Sequence, residues 1–286
     1  MARPYGANVM ADPSTGLDRS PLGHATGYPD TYDPAQIFSV PRAAQRAALG
    51  LDATLPFTGS DLWNAYELTW LDRHGKPEVA IATIEVPASS PSIVESKSMK
   101  LYLGSFAQSS FDHSDAVVAT IARDLTRSTG AAVRVTLTRP DTFANQQIDP
   151  LDGESLDSLP VEFTHYDVDP TTLVARGKIG DEALTTNLFR SVCPITAQPD
   201  IASMRIAYHG PRIDRAGLLR YLVSYRTHPG FHEHCVERIF VDVLSRCRCE
   251  QLTVYARFTR RGGIDINPFR TNAAVALPPN VRTARQ

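Results

Sequence analysis

The stretches KLYLGSF (Lys100–Phe106) and LRYLVSY (Leu219–Tyr225) align without a gap, 119 positions apart. Met99, Tyr102, Leu103 and Phe106 fall at i, i+3, i+4 and i+7, and Leu218, Tyr221, Leu222 and Tyr225 repeat that spacing, which predicts one helix face in each half. A second helix follows each. Val118, Ile121, Ala122 and Leu125 form one stripe, with Asp112 or Ser114 as N-cap. Val236, Ile239, Phe240, Val243 and Leu244 form the other. Alternating strands close both halves, AVRVTLT around Val133 and LTVYARF from Leu252, again 119 positions apart. Four elements repeated in order imply two copies of one α+β module rather than a solenoid, whose period would be shorter and whose copies more numerous.

Further strands precede the helix pairs. AYELTWL and EVAIATIEV flank the turn HGKP as a hairpin, and MRIAY alternates in the second half. Strands on either side of a helix pair predict an antiparallel sheet with both helices on one face. The expected organisation is an arm over 1–45, rich in Pro, Gly, Asp and Tyr, then modules over 46–150 and 151–286. With 42% hydrophobic and 21% charged residues the chain fits an ordinary globular core. A net charge of −2 supplies no global attraction to nucleic acid or acidic membranes. No stretch reads as a signal peptide or bilayer span, and four cysteines are too few for a disulfide scaffold, so a cytoplasmic address is expected.

Chemistry-bearing residues gather in a few stretches. In SVCPITAQPD, Cys193 is surrounded by Ser, Pro, Thr and Gln, a loop signature rather than an apolar stripe. From that stretch alone three roles stay open: core thiol, metal ligand, or nucleophile with Asp200 as proton partner. The metal reading fares poorly. His232 and His234 diverge at i and i+2 on a helix, and Cys235 and Cys247 stand about 18 Å apart along one. In FHE, His232 can serve as acid or base, while Glu233 is either a first-turn glutamate favoured by the helix dipole or an acceptor for a guanine-like N–H edge. In ESKSMK, Ser96, Lys97 and Ser98 suit a phosphate or a polar ring edge, with Lys100 read as solvated. RRGGIDINP ends the last strand in a basic turn whose glycines let a phosphate approach the backbone. Neither a P-loop nor a dinucleotide fingerprint is present.

Taken together, ESKSMKLYLGSF, CPITAQPD, FHEHCVERI and RRGGIDINP, with DTYDPAQIFSVPR and LPFTGSDLWNAYELTWL, resemble the NADPH-dependent 7-cyano-7-deazaguanine reductases (QueF) in their long, two-module form. The resemblance implies tandem tunnelling-fold (T-fold) modules and a homodimer. It also implies reduction of a nitrile to a primary amine with two NADPH and no metal, in the biosynthesis of queuosine for tRNA. It places the nucleophile on Cys193, which would form a covalent thioimide, and the proton donor on Asp200, with His232 assisting. Substrate contacts fall on Val94, Glu95, Ser96, His232 and Glu233, and cofactor contacts on Ser96, Lys97, Arg261 and Gly262. The rival readings are another T-fold purine or pterin enzyme, a non-catalytic deazapurine-binding module, and an interaction protein with no ligand.

Overall fold

The computed structural model describes residues 27–286. Its architecture is mixed α+β: one eight-stranded, almost wholly antiparallel sheet and two helix pairs. The first half contributes β2 (Thr58–Leu71), β3 (Pro77–Pro87), α2 (Ser96–Gly104), α3 (Ser114–Thr129) and β5 (Arg134–Thr138). The second contributes β7 (Ala175–Val192), β8 (Pro199–Ile213), α4 (Arg215–Ser224), α5 (His232–Cys247), β9 (Gln251–Phe258) and β10 (Ile264–Thr271). Before them lie the arm's β1 (Ser39–Pro41) and α1 (Ala43–Ala48); β4 (Ser92–Val94) and β6 (Glu154–Ser155) are short connectors. The strand order is β5-β3-β2-β10-β9-β8-β7-β6, so the last strand of the second half lies against the first strand of the first half. That seam runs for eight residues, from Ile264 opposite Ala65 to Thr271 opposite Thr58.

Two apolar cores lie between sheet and helices. Trp63, Trp70, Ile84, Met99, Tyr102, Val117 and Ile121 belong to the first; Met204, Ile206, Leu218, Tyr221, Ile239 and Phe240 belong to the second. Each fully buried aliphatic or aromatic side chain contributes about 1.5–3 kcal/mol, so packing rather than propensity holds these short helices. Ile264 and Ile266 of β10 join the first core although the second half supplies them. The seam is therefore packed as well as hydrogen-bonded.

The repeat extends to polar contacts, at a spacing of 119 positions in the first helix of each pair and 118 in the second. Glu95 caps α2 by accepting from the N–H groups of Lys97 and Ser98, and Asp214, 119 positions on, caps α4 by accepting from Gly217. Tyr102 donates to Asp124 at 2.9 Å and Tyr221 donates to Asp242 at 2.6 Å, tying the two helices of each pair. Ser105 and Ser224 each donate to the carbonyl three residues back at 2.6 Å.

Three expectations need correction. His113, not Asp112 or Ser114, caps α3, its Nδ1 accepting from Ala116 N at 3.1 Å. Its imidazole nitrogen reaches the same orphan donor that an aspartate would. The expected arm carries more structure than an extended loop: β1 pairs with β4, and α1 follows at once. Its residues 1–26 lie outside the described residues. Finally, the stretch after RRGG is a strand, β10, at the centre of the sheet rather than only a turn.

Candidate active site

A cleft of about 650 Å³, part of it open to solvent, lies where the two halves meet. Four segments wall it: Val94, Ser96 and Lys100 at the start of α2; Cys193, Pro194 and Asp200 on the β7–β8 hairpin; Phe231, His232 and Glu233 at the start of α5; and Thr259, Arg261, Ile264 and Ile266 around the β9–β10 turn.

The hairpin explains where Cys193 sits. Cys193 N donates to Gln198 O at 2.8 Å and Ala197 N to Cys193 O at 3.0 Å, closing a four-residue loop. Ala197 takes φ +53°, the left-handed residue that such loops need before the chain rejoins the strand. The root of this hairpin is tied to the approach to α5: Val192 N donates to His228 O at 3.0 Å and Gly230 N to Val192 O at 3.1 Å. Phe38 of the arm, Ile195 of the loop and Phe231 all pack against Val40 and Ile93. Cys193 is thus half-buried at a fixed distance from His232 and Glu233.

Asp200 is the hub of the polar groups. Its Oδ1 pairs with Arg261 Nη1 and its Oδ2 lies 3.4 Å from His232 Nε2. Burial works to raise its pKa, but the His232 hydrogen bond and charge, then Arg261, outweigh it and hold the carboxyl below its ordinary value. Asp200 is therefore ionised at neutral pH in this state. The His232 ring stacks on Phe258, centroids 3.8 Å apart and planes within 7°, and its Nδ1 is buried with no protein partner. Arg261 also donates to Gln198 Oε1, so one guanidinium holds two nearby side chains where the hairpin loop enters β8.

Glu233 is 3% exposed in the first turn of α5, a helix with no side-chain cap. No side-chain hydrogen bond reaches its carboxyl among the described residues. Burial, then the negative charge of Asp61, push its pKa up to about 7. Its own backbone N–H reaches the carboxyl, which leaves acceptor capacity that an N–H-bearing ligand would fill.

On another wall of the cleft, Lys100 and Arg261 are neighbours. Burial, then the Arg261 charge, lower the Lys100 pKa. Two cations held close together favour an anion between them. Gly262 (φ +57°) and Gly263 (φ +77°) make the turn beside them, and a Cβ on Gly262 would lie 3.0 Å from Lys100 Cε. Backbone and cations together offer what an anionic, phosphate-bearing group would bind. Among the described residues, no group of three or more His, Cys, Asp or Glu side chains could hold a metal ion. Cys235, Cys247 and Cys249 are buried, with thiol pKa values pushed up to about 12, 12 and 11 by burial.

Of the residues expected from the sequence, Val94, Ser96, Cys193, Asp200, His232, Glu233 and Arg261 line the cleft. Glu95, Lys97 and Gly262 do not. Glu95 is wholly buried as the α2 cap, Lys97 presents its backbone N–H to that cap at 2.6 Å, and Gly262 shapes the turn. Lys100 is the residue misjudged. Read as solvated, it stands half-buried in the cleft, one helical turn beyond Ser96 and so on the same face. The i, i+4 spacing of Ser96 and Lys100 carried that signal. Phe258 beneath His232 was legible only as core.

Two family models match the chain. Residues 28–137 match "Nitrile reductase, 7-cyano-7-deazaguanine-reductase N-term" and residues 199–276 match "QueF-like protein". The NADPH-dependent 7-cyano-7-deazaguanine reductase of Burkholderia multivorans is 55% identical over 271 residues, covering 94% of this chain and 99% of the relative. The Burkholderia cenocepacia protein of the same name is 55% identical over 273 residues, with the same coverage. A solved structure, that of the archaeosine synthase QueF-Like in the apo form, overlaps 35% of this chain and 98% of its own with a TM-score of 0.30 and 16% identity, too slight a likeness to argue from.

Proposed function

The chain belongs to the family of NADPH-dependent 7-cyano-7-deazaguanine reductases, and on that premise we propose how its own residues carry the reaction. It reduces the nitrile of 7-cyano-7-deazaguanine to the aminomethyl group, in queuosine biosynthesis. The observation that carries the reading is a half-buried loop thiol sharing one cleft with an ionised carboxylate, an imidazole and a buried carboxyl that no side chain hydrogen-bonds.

A nitrile carbon is a reluctant hydride acceptor, and attack by sulfur divides the difficult step into easier ones. Asp200, ionised in the free protein, takes the Cys193 thiol proton and passes it to the nitrile nitrogen as the S–C bond forms. The product is a thioimide on Cys193. NADPH, when bound, supplies a hydride to the same carbon in each of two successive steps. After the first, the C–S bond breaks and Cys193 leaves as thiolate, giving an imine; reduction of the imine gives the amine. Each reduction also needs a proton on nitrogen, which the His232–Asp200 pair is placed to deliver. Glu233 accepts the N–H groups of the deazaguanine edge, and Val94 and Ser96 bound the ring. Lys100 and Arg261 meet the anionic cofactor, with Ser96 and the Gly262 turn beside them. Lys97 adds positive charge at the same helix start, and Glu95 acts by holding that helix in place.

Two tandem T-fold modules, 46–150 and 151–286, account for the repeat and for the sheet. Free edges at β5 and along most of β7, with exposed Val79, Ile179 and Leu188, support assembly into a homodimer. We place the enzyme in the cytoplasm, acting on the free base with no direct nucleic-acid contact.

The test is an intact-mass measurement with 7-cyano-7-deazaguanine and no NADPH. Wild type should gain the mass of one substrate and Cys193→Ala none. Binding by calorimetry with no adduct in either protein would leave a deazapurine-binding module instead.

A further inference from the structure

Beneath Glu233 lies a cluster of charges almost sealed from water. Arg42 immediately precedes α1 and Arg46 lies on that helix. Asp61 is on β2, Glu237 on α5 and Arg270 on β10; all five are 8% exposed or less. Glu237 takes Arg46 at 2.8 Å and Arg270 at 2.9 Å on its Oε1, a second Arg46 bond at 3.0 Å on Oε2, and Arg42 at 3.5 Å. Asp61 takes Arg42 at 2.5 Å and faces Arg270 at 2.8 Å, the latter an ion pair without hydrogen-bond alignment. Burial opposes both anions. Arg270, then Arg42, outweigh it at Asp61; Arg270, Arg46 and Arg42 outweigh it at Glu237; both carboxyls stay below their ordinary pKa.

Three guanidinium groups face two carboxylates, which leaves one positive charge in excess in a dry region. Glu233 is one helical turn from Glu237, on the same face of α5. It is the third buried carboxyl of this region, acted on by the Asp61 and Arg42 charges. We propose that Arg42, Arg46, Asp61, Glu237 and Arg270 are positioning residues for Glu233, fixing its helix turn and setting the field at its carboxyl so that groups outside the cleft govern recognition of the substrate's N–H edge. This rests on Glu233 as the ring anchor. Glu237, clamped from α1 and β10, stops α5 from turning or sliding beneath Glu233. Asp61 disfavours the ionised Glu233 carboxylate, while Arg42 and His232 favour it. The remaining charged or titratable groups sharing its cleft are Lys100 of α2, Cys193 and Asp200 of the hairpin, and Arg261 of the β9–β10 turn.

An ionised Glu233 accepts two N–H groups; a protonated one presents a donor where the ring also presents donors. Substrate affinity should therefore fall on acidification. The experiment measures 7-cyano-7-deazaguanine binding by calorimetry in a Cys193→Ala background, without NADPH, from pH 5.5 to 8.5. The expected profile has its midpoint near 7. Asp61→Asn should move the midpoint down and Arg42→Gln should move it up, each by about one unit, or roughly tenfold in affinity on the acid side. Opposite shifts from two neighbours are something loss of packing cannot produce. Arg42→Lys, which keeps the charge, should lower thermal stability and leave the midpoint in place. If Arg42→Gln does not fold, Asp61→Asn and Arg42→Lys still decide. Glu233→Gln should bind weakly with no pH dependence. Shifts of one sign, or no shifts, with Glu233→Gln behaving as stated, would overturn the network. If Glu233→Gln instead binds like its parent, the ring-anchor reading itself is wrong.

Discussion

Glu233 holds its proton more tightly in the fold than in the unfolded chain, because burial and then Asp61 disfavour its charge. The sign follows from linkage. A carboxyl raised from 4.5 to about 7 binds protons in the native state that the unfolded chain has released, so its contribution favours folding at low pH and is lost as pH rises through that window. Glu233→Gln removes the loss. Its stability relative to wild type should rise by about 2–3 kcal/mol between pH 4.5 and 8, read from urea unfolding at each pH. A difference that is flat across that range would show that Glu233 is not perturbed. Single residues differed in how far the sequence revealed them. Cys193 stood out because its neighbours are loop formers, and Asp200 because it follows on the same loop. The pairing of Arg42 with Asp61 and Glu237 did not, since an arginine's charge partner depends on contacts 19 and 195 positions away. Lys100 was misread for a related reason: solvation depends on what the other half of the chain places opposite.

At the scale of helices and strands, most of the pattern was legible, because amphipathic spacing is local and was written twice. Helix ends were less so. Two helices, α3 and α5, end on a left-handed residue: Gly130 (φ +76°) after α3 and Arg248 (φ +53°) after α5. Glycine adopts that conformation without the steric cost an arginine bears. Arg248→Gly should stabilise the protein by about 0.5–1 kcal/mol, after the larger unfolded-state entropy of glycine is subtracted. Gly130→Ala should do the reverse, by more than about 1 kcal/mol, since its Cβ would lie 2.6 Å from Pro91 Cγ as well as in strained backbone. Thermal melts of both variants, moving in opposite directions, check the pair. Equal shifts would mean that the caps are energetically silent. The centre of the sheet was the least legible element. β10 follows two glycines and two arginines, which read as a turn; only its pairing with β2, some 200 positions earlier, makes it a strand.

For the whole molecule, the seam decides how the protein folds. Residues 1–150 alone would leave β2 without its eight-residue partner and Asp61 without Arg270. Residues 151–286 alone would leave Glu237 without Arg42 and Arg46. Unmet buried charges of this kind cost about 3–5 kcal/mol each. Neither fragment should fold on its own, whereas co-expression should give a soluble, substrate-binding pair; circular dichroism of the separate fragments checks this. A cooperative melt from either fragment alone would contradict it. The hairpin that carries Cys193 has its counterpart, 119 residues earlier, in the solvent turn at His74, between β2 and β3. Had the two halves been identical chains meeting face to face, every change at one would have been imposed on the other. Joined in a single chain, they are free to diverge: one keeps the thiol while the other's turn answers only to the folding of its hairpin.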